Sequence, residues 1–256
     1  MIAYEDGTPM RLSVVIPVYN EVGTILQVLD RVQGAPLPEG LDLEILAVDD
    51  ASTDGTRELL NTQSLRGVRI FHHERNQGKS AALRTGIAAA TGDFLIVQDA
   101  DLEYDPADYS RLLTPLLSGE ADIVYGTRFG GSGPTPSPWW HSLGNRMLTG
   151  IANGLSGLDL TDMETCYKLF RMEALRSVPL RAERFGFEPE VTLKLARQGR
   201  WRFTEVPIPY QRRGYDEGKK IRLRDAFHAL GVMISARFLE PCVLPGGPTG
   251  ESDVRL

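Results

Sequence analysis

Leu43-Glu44-Ile45-Leu46-Ala47-Val48-Asp49-Asp50-Ala51-Ser52-Thr53-Asp54-Gly55-Thr56 reads as a buried strand running into a cluster of acids and capping residues. Residues 43–48 are apolar enough for a strand, and Ser52 or Asp54 can cap a helix that continues through Leu60. The same alternation extends to both sides. Residues 12–18 form an apolar, β-branched run, and 22–32 carry apolar residues at helical spacing. A third strand is expected at 68–71, an alanine-rich helix at 79–90 and a fourth strand at 94–97. Strand–helix alternation of this kind implies an α/β fold, a mostly parallel sheet flanked by helices. Such sheets bind ligands at the carboxyl ends of their strands, so the chemistry is expected just after Val18, Val48 and Val97.

The second half is less regular. Residues 122–125 read as a strand, 140–155 as a helix, 167–171 as a strand and 189–197 as a helix. Three glycines and three prolines within 130–138 mark an irregular loop. Residues 201–209 are extended, with Pro207 and Pro209 better suited to a sheet edge than to its interior. No repeat or linker divides the chain, so one domain is expected over 1–220, followed by an amphipathic helix at 221–240 and a disordered tail at 241–256. At 256 residues and 42% apolar content the chain can bury a large core. A net charge of −6 argues against a general nucleic-acid binder. Two cysteines, Cys166 and Cys242, are too few for a disulfide scaffold and point to a reducing compartment. No secretory leader and no apolar run of about 20 residues is visible, so a cytoplasmic enzyme is expected.

Each of the three strand ends is acidic. Pro17-Val18-Tyr19-Asn20-Glu21, Asp49-Asp50 and Asp99-Ala100-Asp101-Leu102-Glu103 stand where a dinucleotide-binding or P-loop protein would carry glycines. Gly78-Lys79-Ser80 ends like a P-loop, but His73 occupies the place of its first glycine. Carboxylates at 99, 101 and 103 suit a hard divalent cation, Mg²⁺ or Mn²⁺, shared with substrate phosphates. An isolated Asp-x-Asp is as easily a capped turn. A second acidic pair ending another strand of the same sheet shifts the balance towards function.

This set resembles family 2 glycosyltransferases of the GT-A fold, and the resemblance covers nearly the whole chain. By that resemblance Pro17, Tyr19, Glu21, Val48, Asp50, Asp99 and Ala100 bind the nucleotide, with Tyr19 stacking on the base and Asp50 accepting from it. Asp99, Asp101 and Glu103 hold the metal, and Asp101 is also assigned to catalysis. Within the family the chain is most similar to dolichyl- and polyprenyl-phosphate hexose synthases, through Arg75-Asn76-Gln77-Gly78-Lys79, Tyr125-Gly126-Thr127-Arg128-Phe129 and Thr165-Cys166-Tyr167-Lys168-Leu169-Phe170. Glu164 to Lys168 together with Glu217 to Ile221 look nearer to bacterial glucosyltransferases than to mannosyltransferases. The resemblance implies an inverting transfer of a hexose from UDP- or GDP-sugar to a polyprenyl phosphate, giving a β-linked product. Many such relatives continue into transmembrane helices where this chain stops, and Glu103 stands where some mannose-phosphate synthases have glutamine.

Residues 197–224 hold nine Lys and Arg against three acids. A cationic stretch of this kind can meet phosphate or an anionic membrane surface. Leu223, Phe227, Leu230, Ile234 and Phe238 follow at helical spacing, on a segment too short to span a bilayer. That stripe either lies in the membrane interface or packs on the core. The expected location is therefore peripheral, on the cytoplasmic membrane face, with a small membrane protein as a further partner. A phosphate acceptor is already anionic and needs no base, so Arg128, Arg213 and Lys219 are assigned to bring two phosphates together. An alcohol acceptor would instead call on Glu188 or Glu190 as base. The competing readings are a glycosyltransferase with a soluble acceptor, a sugar-nucleotide pyrophosphorylase lacking its glycine-rich loop, and a non-catalytic nucleotide-binding module.

Overall fold

The structure, a computed structural model, describes residues 8–62, 65, 67–129, 139–210 and 223–243, with the backbone alone at 139–143 and 223–226. Among the described residues seven strands form one sheet: β1 (Met10–Val18), β2 (Leu41–Asp49), β3 (Val68–His72), β4 (Phe94–Val97), β5 (Ile123–Thr127), β6 (Lys168–Arg171) and β7 (Phe203–Pro207). Their order is β3-β2-β1-β4-β6-β5-β7. Only β6 runs against its neighbours, antiparallel to both β4 and β5. As the mostly parallel α/β sheet expected from sequence, it carries β7 and its prolines at one edge.

Among the described residues eight α-helices cover the two faces. They are α1 (Ile25–Gln33), α2 (Thr56–Thr62), α3 (Lys79–Ala89), α4 (Tyr109–Leu117), α5 (Trp139–Ser156), α6 (Met172–Arg176), α7 (Phe187–Arg197) and α8 (Leu223–Ile234). Alternate residues of one strand feed two separate cores. Val14 and Ile16 of β1 join Leu29 of α1 and Leu112 of α4 in one. Val15 joins Leu83 of α3 and Val191 of α7 in the other. Burial on both faces explains why the strands read as unbroken apolar runs.

α8 passes into a π-helical turn, Ser235–Leu239, closed by Glu240 donating its amide to the Ser235 carbonyl. Its buried residues are Ala229, Met233 and Ala236. Phe227 is 73% exposed, Ile234 45% and Phe238 62%. Of the two readings of this stripe, packing on the core is therefore not what these three side chains do. Among the described residues no helix is long and apolar enough to cross a membrane. The loop expected at 130–138 lies outside the described residues, as do Arg213, Lys219 and most of the expected tail.

Candidate active site

Every residue singled out at a strand end gathers on one side of the sheet. The carboxyl ends of β1, β2, β4, β5 and β7 share that side. Antiparallel β6, with Leu169 opposite Ile96, brings the segment before it (residues 162–167) to the same place.

Three residues other than glycine take left-handed backbone here, one after each acidic strand: Asn20 (φ 55°), Ala51 (φ 61°) and Leu102 (φ 62°). Such conformations cost on the order of 1–3 kcal/mol each and cluster at functional loops. Cross-loop hydrogen bonds hold the first two. Ser52 Oγ accepts from the Asn20 amide, Asn20 Oδ1 from the Thr53 amide, and Thr56 Oγ1 from the Glu21 amide. Thr24 Oγ1 lies against both Glu21 Oε2 (2.8 Å) and the Ala100 carbonyl (2.7 Å), which ties the first loop to the third. Tyr19 stands exposed at the rim, Pro17 is half-buried, and Val48 and Ala100 are enclosed.

Asp50 is placed differently from the sequence reading. It is 2% exposed, and its carboxylate accepts from the amides of Gln77 (2.9 Å) and Gly78 (2.7 Å) and faces His73 Nδ1 at 2.7 Å. With its oxygens so engaged it anchors the segment that starts α3. Gly78 is required here by its φ of +90° and by the close approach of residue 184, since a Cβ would lie 2.7 Å from Arg184 Cα. Asp49, wholly buried, accepts from the Ser52 amide and lies 3.0 Å from both Arg57 Nε and His72 Nδ1. Burial works to raise its pKa, but these partners hold the carboxyl below its ordinary range.

The centre of the site is a cluster that the strand-end reading did not assemble. Lys79 Nζ lies 2.8 Å from Asp99 Oδ1, 2.8 Å from Cys166 Sγ and 3.3 Å from Glu188 Oε1. Burial opposes the charge on Lys79, yet Asp99 and Glu188 keep its pKa well above the ordinary lysine value. Burial and then Asp99 push the Cys166 thiol up, so it stays protonated. One signal was available in sequence: a lysine in the first turn of a helix opposes the helix dipole, so Lys79 called for a nearby acid. Gln98 fixes the strand end beneath, its Oε1 accepting from the hydroxyls of Tyr109 and Tyr167 at 2.7 Å each.

Arg128 is engaged. Its guanidinium donates to Asp162 at 2.7 and 2.8 Å and lies over the Tyr210 ring, 5.2 Å from its centroid. Burial alone would raise Asp162, but Arg128 holds it below the ordinary carboxylate range. Asp162 has no surface signature, since its partner lies 34 positions away.

Beside it sit Glu164 and Lys168. Lys168 is fully buried and donates to the carbonyls of Met163 (2.6 Å) and Thr165 (2.7 Å). Burial lowers its pKa to about 8. Burial and the neighbouring Glu188 push the Glu164 carboxyl up to about 7.

Glu190 turns away from the site. It accepts from the amides of Arg181 and Ala182 and pairs with buried Lys194 at 2.6 Å, a structural role that removes it as a base. Part of the basic stretch is likewise engaged elsewhere. Arg197 donates to the carbonyls of Ala236 and Glu240, Arg200 lies over Trp201, and Arg202 pairs with Asp122.

The oxygen-rich edge suits a hard cation in part. Among the described residues no three His, Cys, Asp or Glu side chains are grouped as a metal cage. Asp101 Oδ1 accepts from the Glu103 amide, and Glu103 Oε2 accepts from the Tyr210 hydroxyl at 2.7 Å. Glu103 is thus drawn towards Tyr210. Mg²⁺ and Mn²⁺ commonly take only one or two carboxylates, with water and phosphate oxygens completing the shell. Asp99 and Asp101 fit that smaller set.

Residues 13–178 match the model of glycosyl transferase family 2. The chain belongs to that family. It is 32% identical to the undecaprenyl-phosphate mannosyltransferase of Micrococcus luteus over 226 residues, covering 82% of this chain and 87% of that protein. It is 29% identical to the dolichol-phosphate mannosyltransferase of Pyrococcus furiosus, covering 82% of this chain but only 59% of that longer protein. Among solved structures, glucosyl-3-phosphoglycerate synthase of Mycobacterium tuberculosis superposes with a TM-score of 0.66 at 25% identity, over 89% of this chain and 80% of that one. That enzyme was crystallised with Mn²⁺, UDP and glucosyl-3-phosphoglycerate, and also with Mg²⁺ and UDP. The family 2 chain described here is therefore a glycosyltransferase with the GT-A architecture expected from its sequence.

Proposed function

We propose that this glycosyltransferase moves a hexose from a nucleoside-diphosphate sugar to a polyprenyl phosphate, with inversion, at the cytoplasmic face of a membrane. The observation that carries the acceptor class is the state of the two carboxylates considered as bases. Glu188 is ion-paired with Lys79, and Glu190 is buried against Lys194. A hydroxyl acceptor requires a positioned base. A phosphate monoester requires none, and its demand is for cations. The named activities of the relatives from Micrococcus and Pyrococcus support the same class.

In this reading Tyr19, Pro17, Glu21, Val48 and Ala100 form the nucleoside pocket, and Asp50 supports it by holding the segment before α3. Asp99 and Asp101 hold a divalent cation, which when bound neutralises the charge of the departing diphosphate. Lys79 keeps Asp99 oriented. Arg128, fixed by Asp162, supplies a cation at the end of β5, and Arg213 and Lys219 supply two more from the stretch beyond Tyr210. The exposed Phe227, Ile234 and Phe238 dock the enzyme on the lipid surface where a polyprenyl phosphate resides. A small membrane protein partner would strengthen that docking.

A second reading is favoured by the structural neighbour bound to glucosyl-3-phosphoglycerate: a soluble, phosphate-bearing hydroxyl acceptor. The deciding experiment incubates the chain with UDP-glucose or GDP-mannose, Mg²⁺ or Mn²⁺, and either a short polyprenyl phosphate or 3-phosphoglycerate. Transfer to the lipid phosphate supports the first reading. Transfer to 3-phosphoglycerate alone moves the assignment to the second.

A further inference from the structure

Two consecutive residues at the carboxyl edge carry buried oxygens with no hydrogen-bond partner, Glu164 Oε1 and Thr165 Oγ1. Leaving a buried polar atom unmet costs roughly 1–3 kcal/mol. Folded chains rarely keep such atoms without a ligand or an ordered water to complete them. The neighbouring protein donors are engaged with other acceptors. Lys168 is committed to two carbonyls, Arg128 and Asn145 donate to Asp162, and Lys79 is held between Asp99 and Glu188. Thr165 has no exposed surface, so bulk solvent does not meet its hydroxyl.

The surroundings select the ligand. Antiparallel β6 brings the segment before it to the end of β4, where Tyr167 donates to Gln98 and Lys79 lies against both Cys166 and Asp99, so Glu164 and Thr165 belong to the segment beside the Asp-x-Asp turn assigned to the diphosphate. An anionic group at Glu164 would face Glu188, its largest electrostatic neighbour, in a place where burial already disfavours charge. A second phosphate is therefore disfavoured there, and a neutral group rich in hydroxyls is not. A carboxyl oxygen beside a hydroxyl offers acceptors and a donor in the pattern that sugar hydroxyls complement.

From this we infer that Glu164 Oε1 and Thr165 Oγ1 bind ring hydroxyls of the transferred sugar and determine which sugar the enzyme accepts. This assignment rests on the nucleotide-sugar reading above, and a failure of either can be told from the other.

The test is calorimetric and needs no turnover. Affinities of UDP and UDP-glucose, and of GDP and GDP-mannose, are compared for the wild type, Glu164→Gln and Thr165→Val, both near-isosteric. Thr165→Ser, which restores the hydroxyl, serves as a rescue, and circular dichroism reports folding. In the wild type the sugar should add affinity over the bare diphosphate. Glu164→Gln and Thr165→Val should each erase about 10-fold or more of that increment, while the affinity for the bare diphosphate stays within about twofold. Thr165→Ser should recover it, and a deoxy-sugar donor lacking the contacted hydroxyl should bind wild type and variants alike. Unchanged increments in both folded variants, with the diphosphate still bound, would overturn the subsite and leave the nucleotide reading intact. A wild type that binds neither diphosphate would overturn the nucleotide reading and this assignment with it.

Discussion

Asp162 holds Arg128 with both carboxylate oxygens, and it does so with no exposed surface of its own. The pair fixes the cation at the end of β5, and the Arg128 amide and Asn145 donate to the same carboxylate at 3.0 and 2.8 Å. Removing one member of a buried pair leaves the other charge uncompensated and costs about 3–5 kcal/mol. Asp162→Ala should therefore lose stability on that scale in urea unfolding at pH 7. The pH sign follows from the depressed pKa of Asp162. Its contribution is complete above the unfolded carboxylate pKa and disappears as pH falls through the lower folded value. Wild type and Asp162→Ala should converge in stability towards the acid end, and a constant gap across that range would contradict the pairing.

Asp101→Ala should lower turnover by more than about 100-fold while the unfolding midpoint stays near that of wild type, because Asp101 is partly exposed at a strand end. Asp99→Ala should in addition weaken donor binding and leave Lys79 facing only Glu188 and Cys166. Assays with added EDTA, then with restored Mg²⁺ or Mn²⁺, read this directly. Full activity of the Asp101 variant in EDTA would end the metal assignment.

Asp50→Ala removes the acceptor for the amides of Gln77 and Gly78. Hydrogen bonds to a charged group are worth about 1.5–3 kcal/mol each. The variant should lose stability and also bind the nucleoside diphosphate more weakly, because the segment before α3 is released. Hydrogen exchange should show faster amides at 77–80. Weaker nucleotide binding with unaltered exchange there would restore Asp50 to direct contact with the base.

The sheet and the acidic edge were legible because their signals are local. β1, β2 and β4 are buried on both faces and so read as short apolar runs, and the acids follow them directly in sequence. α4 carried a contrary signal, Pro115 within its length, and was not expected. The Lys79–Asp99–Cys166–Glu188 cluster was not legible because it depends on β6 running against the sheet, a matter of register between segments some 70 residues apart. The anchoring role of Asp50 was not legible for another reason. Its partners are two backbone amides and the His73 ring, which no sequence pattern reveals. The basic stretch of 197–224 read as one feature, yet Arg197, Arg200 and Arg202 each have a local structural use.

Glu164 and Lys168 predict an unusual pH profile of stability. A carboxyl raised to about 7 in the folded chain keeps its proton where the unfolded chain has lost it. Folding is therefore penalised progressively as pH rises from the ordinary carboxylate range towards 7. For Lys168, lowered to about 8, the folded chain binds the proton less tightly, so the penalty is full below 8 and is relieved as pH rises from there towards the ordinary lysine range. Glu164→Gln removes the first effect. It should stabilise the protein at pH 7–8 by on the order of 1–3 kcal/mol and change nothing below about pH 4. Equal stabilisation at both ends would show that packing, not ionisation, separates the variants.

The proposed membrane docking rests on the exposed face of α8 and its π-helical continuation. Phe227, Ile234 and Phe238 are large, apolar and turned outward, while the small residues Ala229 and Ala236 face the core with Met233. A globular helix usually buries the opposite set. Two exposed phenylalanines give up a few kcal/mol of burial each when they leave water, at about 25 cal/mol per Å² of apolar area. That is enough for reversible attachment and too little for permanent anchoring. Flotation with vesicles containing anionic lipid should therefore carry the wild type at low salt and less of it at high salt. Phe227→Asp with Phe238→Asp should abolish flotation without loss of stability, because neither ring is packed. Transfer to a polyprenyl phosphate embedded in those vesicles should fall with flotation, while transfer to a detergent-dispersed short-chain acceptor should not. A double variant that still floats would place the attachment outside α8.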